Sequence, residues 1–494
     1  MTLLTIPTLS AAALGLILAV FVRRALSDRD IPGPVLARYT RLWYMWQMMK
    51  GDFQYTNIRL HQDHGKIVRI APGWYSLNDI DALKSIYAHG SRLIKSEWYE
   101  AWNFSPDPND HKLFSVRNIA HHSDARRKVA SMYSMSAVVS YEPYVDDCIR
   151  RFCAQLDSFV KTGSMVDLGH WLQCFAFDTI SKITYGERFG FLDRGEDINN
   201  LMKSLEQSFV ISSLMGLMLW LRPVVLFLGN FFATSNTLFV RRFAHQKFTE
   251  LSQKGDQGPS TGELLPMVRR FLHAQRDEAK GLTDRYIKVS AASNIGAGSD
   301  TTAIGLSAAV FYLYRSPETL EKLRKELDQA CLGRDVSFQE MQKLSYLQAV
   351  IKESMRLHPG VGFPLFRLVP RGGAVICNEF FPEGTNVGIN SWVVHRDVRI
   401  WGADADDFVP ERWLSNDTEK LRIMEQCLMP FGLGSRVYVG KNISLFEMNK
   451  LIPLLVRHYD IEIQQQDGKD MKARNMWFVK PIQFQATIRS RQLG

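Results

Sequence analysis

Residues 297–302 read Ala-Gly-Ser-Asp-Thr-Thr and place an acid beside hydroxyl groups within an apolar stretch of the chain. Gly298 would let a ligand or a water molecule approach the backbone closely. Thr301 can bond back to a carbonyl of the preceding turn and distort a helix locally. The same string is also typical of two closely packed helices. Taken alone, it does not decide between ligand chemistry at Asp300 and Thr301 and simple packing.

A second candidate is the pair formed by Glu353 and Arg356. The two residues are three positions apart in a segment with helical spacing, so their side chains lie on one face and can form an ion pair. In isolation this spacing matches any solvated helix face. It gains meaning only from other motifs in the chain.

The third candidate is the glycine-rich string at residues 431–440, which reads Phe-Gly-Leu-Gly-Ser-Arg-Val-Tyr-Val-Gly. The guanidinium of Arg436 is suited to bidentate contact with a carboxylate. The phenol of Tyr438 has an unperturbed pKa of about 10, so it becomes an anion only where a metal ion or other cations stabilise the phenolate.

Five strings together resemble the motifs of the cytochrome P450 (haem-thiolate) monooxygenases, in order and spacing. The resemblance extends to fungal secondary-metabolism members of the pisatin-demethylase type, and it predicts the fold of that family. The five strings lie at residues 297–302, 353–356, 395–406, 408–413 and 431–440.

The resemblance implies a role for each matching residue. Asp300 and Thr301 would relay protons at the distal face of haem, and Arg412 would join Glu353 and Arg356 in a structural triad. Partners of the haem propionates would be His122, Arg126, Arg367 and Arg436. The haem-binding loop would include Phe431, Gly432 and Gly440, with the axial iron ligand at position 438. Electrons would come from an NADPH-dependent reductase that docks near Lys441.

Tyr438 departs from this family pattern, because the family has a cysteine whose thiolate binds the iron. A phenol oxygen lies about 4 Å farther from its Cα than a cysteine sulfur does. Cys427, eleven residues earlier and outside the loop, is the nearest substitute thiol in the sequence.

Three functions are therefore carried forward. The first is oxidation of a lipophilic metabolite with haem bound through Tyr438 or water. The second is redox-neutral chemistry without haem, such as cyclisation, condensation or isomerisation. The third is a catalytically inactive protein on the same scaffold.

The composition is that of a globular protein. Apolar residues make up 46% of the 494 residues, charged residues 22%, and the net charge is +9. The six cysteines form no CxxC pair or metal-ligand cluster, which favours reducing surroundings. No motif suggests nucleic-acid binding. The modest positive charge is compatible with an anionic membrane surface or with an ordinary solvated surface.

The amino terminus predicts a membrane anchor. Residues 3–22 carry no charge and are long enough to span a bilayer as a helix, and Arg23 and Arg24 follow at once. The positive-inside rule then predicts a cytoplasmic catalytic domain, which suits the endoplasmic reticulum of the implied family. A cleaved signal peptide is the alternative. We expect an anchor and linker at residues 1–30 and one catalytic domain at residues 31–494.

The elements that must position these motifs read as mainly helical with a small late sheet, an α+β pattern. Helical spacing covers residues 126–161 with a break near Ser140, then 282–315, 317–330 and part of 338–357. Strand-like runs lie at residues 374–377, 386–389, 459–463 and 483–488. The very apolar segment 209–232 predicts two short helices that dip into a leaflet or line an access channel, or else ordinary core helix.

Overall fold

The structure is a computed structural model that describes residues 31–103, 113–224, 235–253, 264–278, 281–330, 336–464 and 468–492, without the side chains of 235–241. The anchor predicted at residues 3–22 lies outside these ranges. Within them, no helix combines the length and the apolar character that a bilayer crossing requires.

Helices dominate the described chain. In chain order they are α1 (Leu42–Lys50), α2 (Phe53–His64), α3 (Ile80–Tyr87), α4 (Ile119–Val129), α5 (Met135–Val139), α6 (Glu142–Thr162), α7 (Leu168–Tyr185), α8 (Phe191–Arg194), α9 (Leu201–Met215), α10 (Ser235–Gln253), α11 (Met267–Gln275), α12 (Asp284–Tyr314), α13 (Pro317–Gln329), α14 (Phe338–Met341), α15 (Ser345–Leu357), α16 (Ser391–Val394), α17 (Val398–Trp401), α18 (Thr418–Cys427) and α19 (Lys441–His458).

The strands are short and form a minor part of the fold. They are β1 (Ile67–Ala71), β2 (Trp74–Leu77), β3 (Ile94–Lys95), β4 (Val166–Asp167), β5 (Arg367–Leu368), β6 (Ala374–Ile376), β7 (Glu379–Phe381), β8 (Asn386–Ile389), β9 (Tyr459–Ile463), β10 (Ala473–Asn475), β11 (Val479–Pro481) and β12 (Gln485–Ser490). The largest sheet has the order β1-β2-β8-β5-β3, and a second has the order β4-β12-β9. The hairpins β6-β7 and β10-β11 stand beside them.

Helix α12 runs through the centre of the helical part and positions the first motif. It begins after Thr283, whose hydroxyl accepts a hydrogen bond from the backbone N–H of Tyr286 and caps the first turn. Its buried residues are distributed around its whole circumference, as expected of a helix enclosed on all sides. Helices α7, α15 and α19 pack against it, and α15 and α19 carry or adjoin the other two motifs.

Most predicted elements are present. The segment predicted at 126–161 breaks where expected, with α6 starting at Glu142, and the later strands fall at β6, β8, β9 and β12. The helical pattern in 338–357 is split into α14 and α15, because Leu344 leaves the helical conformation with φ −80° and ψ 101°. The mainly α fold with small sheets is confirmed.

The apolar segment 209–232 has two different parts. Its first part continues α9, and Met215 and Leu217 are buried in an aromatic cluster with Trp98, Trp102 and Trp477. Ordinary core packing therefore describes this part, as the alternative interpretation of the sequence had it. Trp220 and Val224, farther along, are exposed. Residues 225–232 lie outside the described ranges.

Candidate active site

The charged triad is present and fully assembled. Glu353 is buried, and its Oε1 accepts hydrogen bonds from Nη2 of Arg356 at 2.8 Å and from Nε of Arg412 at 2.9 Å. Its Oε2 accepts from Nε of Arg356 and from the indole N–H of Trp413, both at 2.9 Å. Each oxygen of this buried carboxylate therefore accepts at least two hydrogen bonds. Such pairing is what allows a charged group to be buried inside a protein.

His395 connects the triad to the glycine-rich loop. Nη1 of Arg356 donates to the carbonyl of His395 at 2.7 Å, and the ring Nδ1 of His395 lies 2.9 Å from the carbonyl of Arg356. The ring Nε2 accepts the backbone N–H of Met429 at 2.9 Å, two residues before the loop begins. Burial lowers the pKa of His395 to about 3, so the ring is neutral and keeps the tautomer that this bridge requires.

The loop at 431–440 takes a tight path that two glycines permit. Gly432 and Gly434 have φ values of 74° and 61°, a region that L-residues rarely adopt. A Cβ at Gly434 would lie 1.8 Å from the carbonyl oxygen of Tyr87, so a side chain is also sterically excluded there. The backbone N–H of Tyr438 donates to the carbonyl of Phe431 at 2.9 Å and closes the loop.

Tyr438 lies inside this closed loop with its ring stacked along Phe431, the centroids 6.5 Å apart and the planes at 19°. Its side chain is half-buried, and burial is the main cause that raises the pKa of its phenol above the usual value. The nearby Glu447 raises that pKa further. A raised pKa keeps the phenol protonated, which is the opposite of what an anionic iron ligand needs.

Basic side chains from four distant parts of the chain meet beside the loop. We call this group the basic cluster: Lys95, His122, Arg126, Arg367 and Arg436. Lys95 and Arg367 lie opposite each other in the antiparallel pair β3-β5. Burial, followed by the charges of Arg436, Lys95, Arg126 and Arg367, lowers the pKa of His122 to about 3. His122 is therefore a neutral member of the cluster near neutral pH.

The cations of the basic cluster hold carbonyl oxygens where carboxylates would be expected. Arg126 donates to the carbonyl of Val437 at 2.6 Å, and Arg436 donates to the carbonyls of Val116 and Arg117 at 2.5 Å and 2.9 Å. Arg367 donates to the carbonyl of Phe366 at 3.0 Å. Among the residues that the structure describes, no aspartate or glutamate pairs with these arginines. Burial and the charge of Arg367 lower the pKa of Arg436 to about 10, a sign of uncompensated positive charge.

Lys95 is the member of the cluster that the sequence did not reveal. Its Nζ donates to the carbonyl of Phe114 at 2.5 Å and lies 4.5 Å from the ring centroid of Tyr99. Burial and the charges of Arg367 and Arg436 lower the pKa of Lys95 well below its usual value. The site therefore provides a buried amine whose charged form an entering anion would stabilise.

The acid of the first motif, Asp300, is buried on α12 and held from outside the helix. Nε2 of Gln173 on α7 donates to Oδ1 at 2.5 Å, and Nζ of Lys480 on β11 lies 2.8 Å from Oδ2. The Lys480 contact has the distance of an ion pair but not the angles of a hydrogen bond, so Oδ2 stays without a hydrogen-bond donor among the described residues. Lys480 also lines a surface cleft with His170, which brings this acid within one side chain of bulk solvent.

The other residues of that motif have separate roles. The hydroxyl of Thr301 bonds back to the carbonyl of Ala297 at 2.6 Å, as its position predicts. A Cβ at Gly298 would lie 3.0 Å from Ile180 of α7, so this glycine permits close helix packing. The expectation that Gly298 admits a ligand to the backbone is not what the structure shows. The hydroxyl of Thr302 contacts that of Ser444 at 2.9 Å and ties α12 to α19.

Cys427 and Lys441 lie in different environments. Cys427 is fully buried at the end of α18 in an apolar cluster with Met424 and Trp401, and burial raises the pKa of its thiol to about 11. The loop, by contrast, packs Phe431 and Val439 against the main helical core. Cys427 is therefore an inert core thiol and not a substitute ligand. Lys441 is exposed on the first turn of α19.

The structure thus brings the basic cluster and Tyr438 together at one loop. The triad, through His395, fixes the segment that leads into that loop. A helical domain arranged in this way belongs to the class of haem monooxygenases.

The comparisons with known proteins agree with this class. The chain matches the family model described as Cytochrome P450 over residues 32–487. It is 39% identical to a pisatin demethylase of Fusarium vanettenii, over 99% of this chain and 94% of that protein. It is 37% identical to a cytochrome P450 monooxygenase of Aspergillus terreus (89% and 92% covered) and 35% identical to one of Emericella nidulans (97% of both). This chain belongs to the cytochrome P450 family, whose cofactor is haem and whose electrons come from NADPH through a reductase.

Proposed function

We propose that this protein binds haem through the basic cluster and acts as an oxidoreductase on a lipophilic small molecule of fungal secondary metabolism. The observation that carries the proposal is the cluster itself. Three guanidinium groups and one amine converge in the interior, and their contacts among the described residues are carbonyl and aromatic groups. Uncompensated buried cations are costly, so the fold is suited to a bound group that brings two carboxylates.

The residues present fit one end of haem and not the other. The cluster matches the two propionate groups in charge, and arginine forks match carboxylates in shape. At position 438 the family thiolate is replaced by a longer side chain that stays protonated. We therefore assign the propionate contacts to the cluster and derive no step from an axial protein ligand.

When bound, haem supplies the redox chemistry of the family, and the chain's own residues supply binding and proton control. Arg126, Arg367 and Arg436 orient the carboxylates. Asp300, buried and held by Lys480, can take protons from the solvent side of the molecule. Exposed Lys441 is where we propose that an NADPH-dependent reductase docks, since it directly follows the loop.

A redox-neutral enzyme is the second candidate, and Tyr438 favours it. A neutral phenol is a hydrogen-bond donor, which suits activation of a carbonyl or hydroxyl oxygen during cyclisation or isomerisation. The raised pKa of Tyr438 supports this use over metal ligation. Absence of haem uptake by the purified full-length protein, together with product formation without a reductase, would favour this candidate over the first.

Replacing Lys95 with methionine tests haem binding at the cluster. Loss of a charge-assisted hydrogen bond is worth roughly 1.5–3 kcal/mol, so we expect haem affinity to fall about tenfold to a hundredfold. Methionine has a similar shape and no desolvated amine, so the haem-free protein should keep its unfolding free energy within about 1 kcal/mol. Haem titration followed by Soret absorbance and urea unfolding measure the two quantities. The exposed Lys84→Met variant is the control, and unchanged affinity in K95M would contradict the proposal.

We also propose that the domain rests on a membrane surface beside its amino-terminal anchor, on the cytoplasmic face of the endoplasmic reticulum. Leu36, Trp46 and Met49 are more than half exposed near the start of the described chain, and so is Trp220. Nη1 of Arg41 donates to the carbonyl of Leu217 at 2.9 Å and ties these two segments together. Patches of exposed aromatic and aliphatic side chains are typical of protein surfaces that contact a membrane.

Tryptophan quenching by bromolipids tests the patch in the full chain. In bilayer vesicles, we expect the Trp46→Phe/Trp220→Phe double variant to lose most of the quenchable fluorescence, because these indoles would lie at the lipid interface. Trp171→Phe removes a half-buried indole elsewhere and should leave quenching unchanged. Equal quenching in the wild type and the double variant would place the patch away from lipid.

A further inference from the structure

The ring of Tyr438 occupies the space directly over Gly440. A Cβ at Gly440 would lie 2.7 Å from both Cζ and the phenol oxygen of Tyr438. The backbone of Gly440 has φ −83° and ψ 6°, which any residue can adopt. Glycine is therefore required at position 440 because the Tyr438 ring leaves no room for a Cβ, and not because of the backbone conformation. The phenol is directed back along its own loop.

Glu447 lies on α19 beyond Gly440 and lacks partners. Seven residues separate the two, which places them on one face of the helix. The side chain of Glu447 is fully buried, and neither carboxyl oxygen has a hydrogen-bond partner among the described residues. A buried carboxyl with both oxygens unpaired is rare and calls for a nearby polar group or a bound water.

Tyr438 is the polar group that the geometry offers. Its Cζ and phenol oxygen lie against Gly440, at the start of the helix that carries Glu447. Within the described part of the chain, the phenol oxygen makes no hydrogen bond. Phe431 stacks along the ring and Gly440 lies against its phenol end, so both contacts restrict the ring.

We propose that Tyr438 is not an iron ligand, and that its phenol forms a buried pair with the carboxyl of Glu447 through one bridging water. Position 438 then serves packing and hydrogen bonding, and the iron of a bound haem receives no ligand from it. The spectroscopic part of this inference rests on the proposed haem binding. The pairing itself does not.

Two double-mutant cycles on the haem-free full chain test the position of the Tyr438 ring and its pairing with Glu447. Gly440→Ala should lower Tm by several degrees in the wild type, because the added methyl meets the ring, and should be neutral or stabilising in a Tyr438→Ala background. An equal loss of Tm in both backgrounds would show that the ring is not over Gly440.

The second cycle combines Tyr438→Phe with Glu447→Leu. Each single change leaves the other polar group alone, whereas the double change removes both groups. We expect the double variant to lose less Tm than the sum of the single losses. Strict additivity would overturn the pairing.

A spectroscopic comparison completes the test with haem added. The ferric spectrum of Y438F should match that of the wild type, since a ring that does not touch iron can lose its hydroxyl without effect. A tyrosinate-to-iron charge-transfer band that disappears in Y438F would overturn the inference. If neither protein takes up haem, the proposed function fails, and the two cycles still decide the pairing.

Discussion

Replacing Glu353 with glutamine should destabilise the folded chain by about 3–5 kcal/mol, because it leaves the buried Arg356 without a carboxylate and Arg412 with only the partly exposed Asp404. Glu353 accepts from Arg356, Arg412 and Trp413, and an amide nitrogen at one of its two oxygen positions would face a donor. Urea unfolding of the haem-free protein measures the loss as a lower midpoint at an unchanged slope.

Glu425→Gln is the matched control for this change. Glu425 pairs with Lys352 at 2.9 Å, and 60% of its side chain is exposed. Exposed pairs contribute little, so its loss should cost less than about 1 kcal/mol. Equal losses of unfolding free energy in E353Q and E425Q would mean that the triad contributes no more to stability than an exposed ion pair does.

E353Q should also reduce haem uptake, although Glu353 touches no part of the loop. The path runs from Arg356 through the carbonyl and ring of His395 to the backbone N–H of Met429. The loop that holds Phe431 and Tyr438 starts two residues later. A loosened triad thus shifts the residues that position the loop, and the haem-to-protein ratio after reconstitution reports it.

The sequence predicted contacts that depend on local spacing. The Glu353–Arg356 pair follows from two positions on one helix face, and α12 follows from a long apolar run. Motif resemblance supplied Arg412 and the arginines of the basic cluster. These predictions need only the element or the motif in which each residue lies.

Contacts set by distant pairings could not be predicted. Lys95 is a single lysine in a two-residue strand, and only the register of β3 against β5 places it opposite Arg367. Lys480 reaches Asp300 from a hairpin 180 residues along the chain. The direction of the Tyr438 ring depends on packing against Gly440, which the spacing of the motif does not encode.

Replacing Tyr438 with cysteine should convert the site into a thiolate-ligated haem centre. The short side chain removes the ring from the space over Gly440, and the closed loop, the basic cluster and the triad are already assembled around that position. The expected signature is the red-shifted Soret band of the ferrous carbon monoxide complex that thiolate ligation produces. The electron donation of a thiolate would then favour cleavage of the O–O bond.

Tyr438→Ser separates ligation from mere loss of the ring. Serine has the length of cysteine without its sulfur, so Y438S should bind haem through the cluster and lack the red-shifted band. Both variants lose a packed ring, and the haem-free forms should be less stable than the wild type by about 2 kcal/mol or more. Identical spectra for Y438C and Y438S would show that the loop does not bring position 438 to the iron. A red shift of the Soret band in Y438C alone would show that the scaffold still supports thiolate ligation of the iron and that the tyrosine alone prevents it.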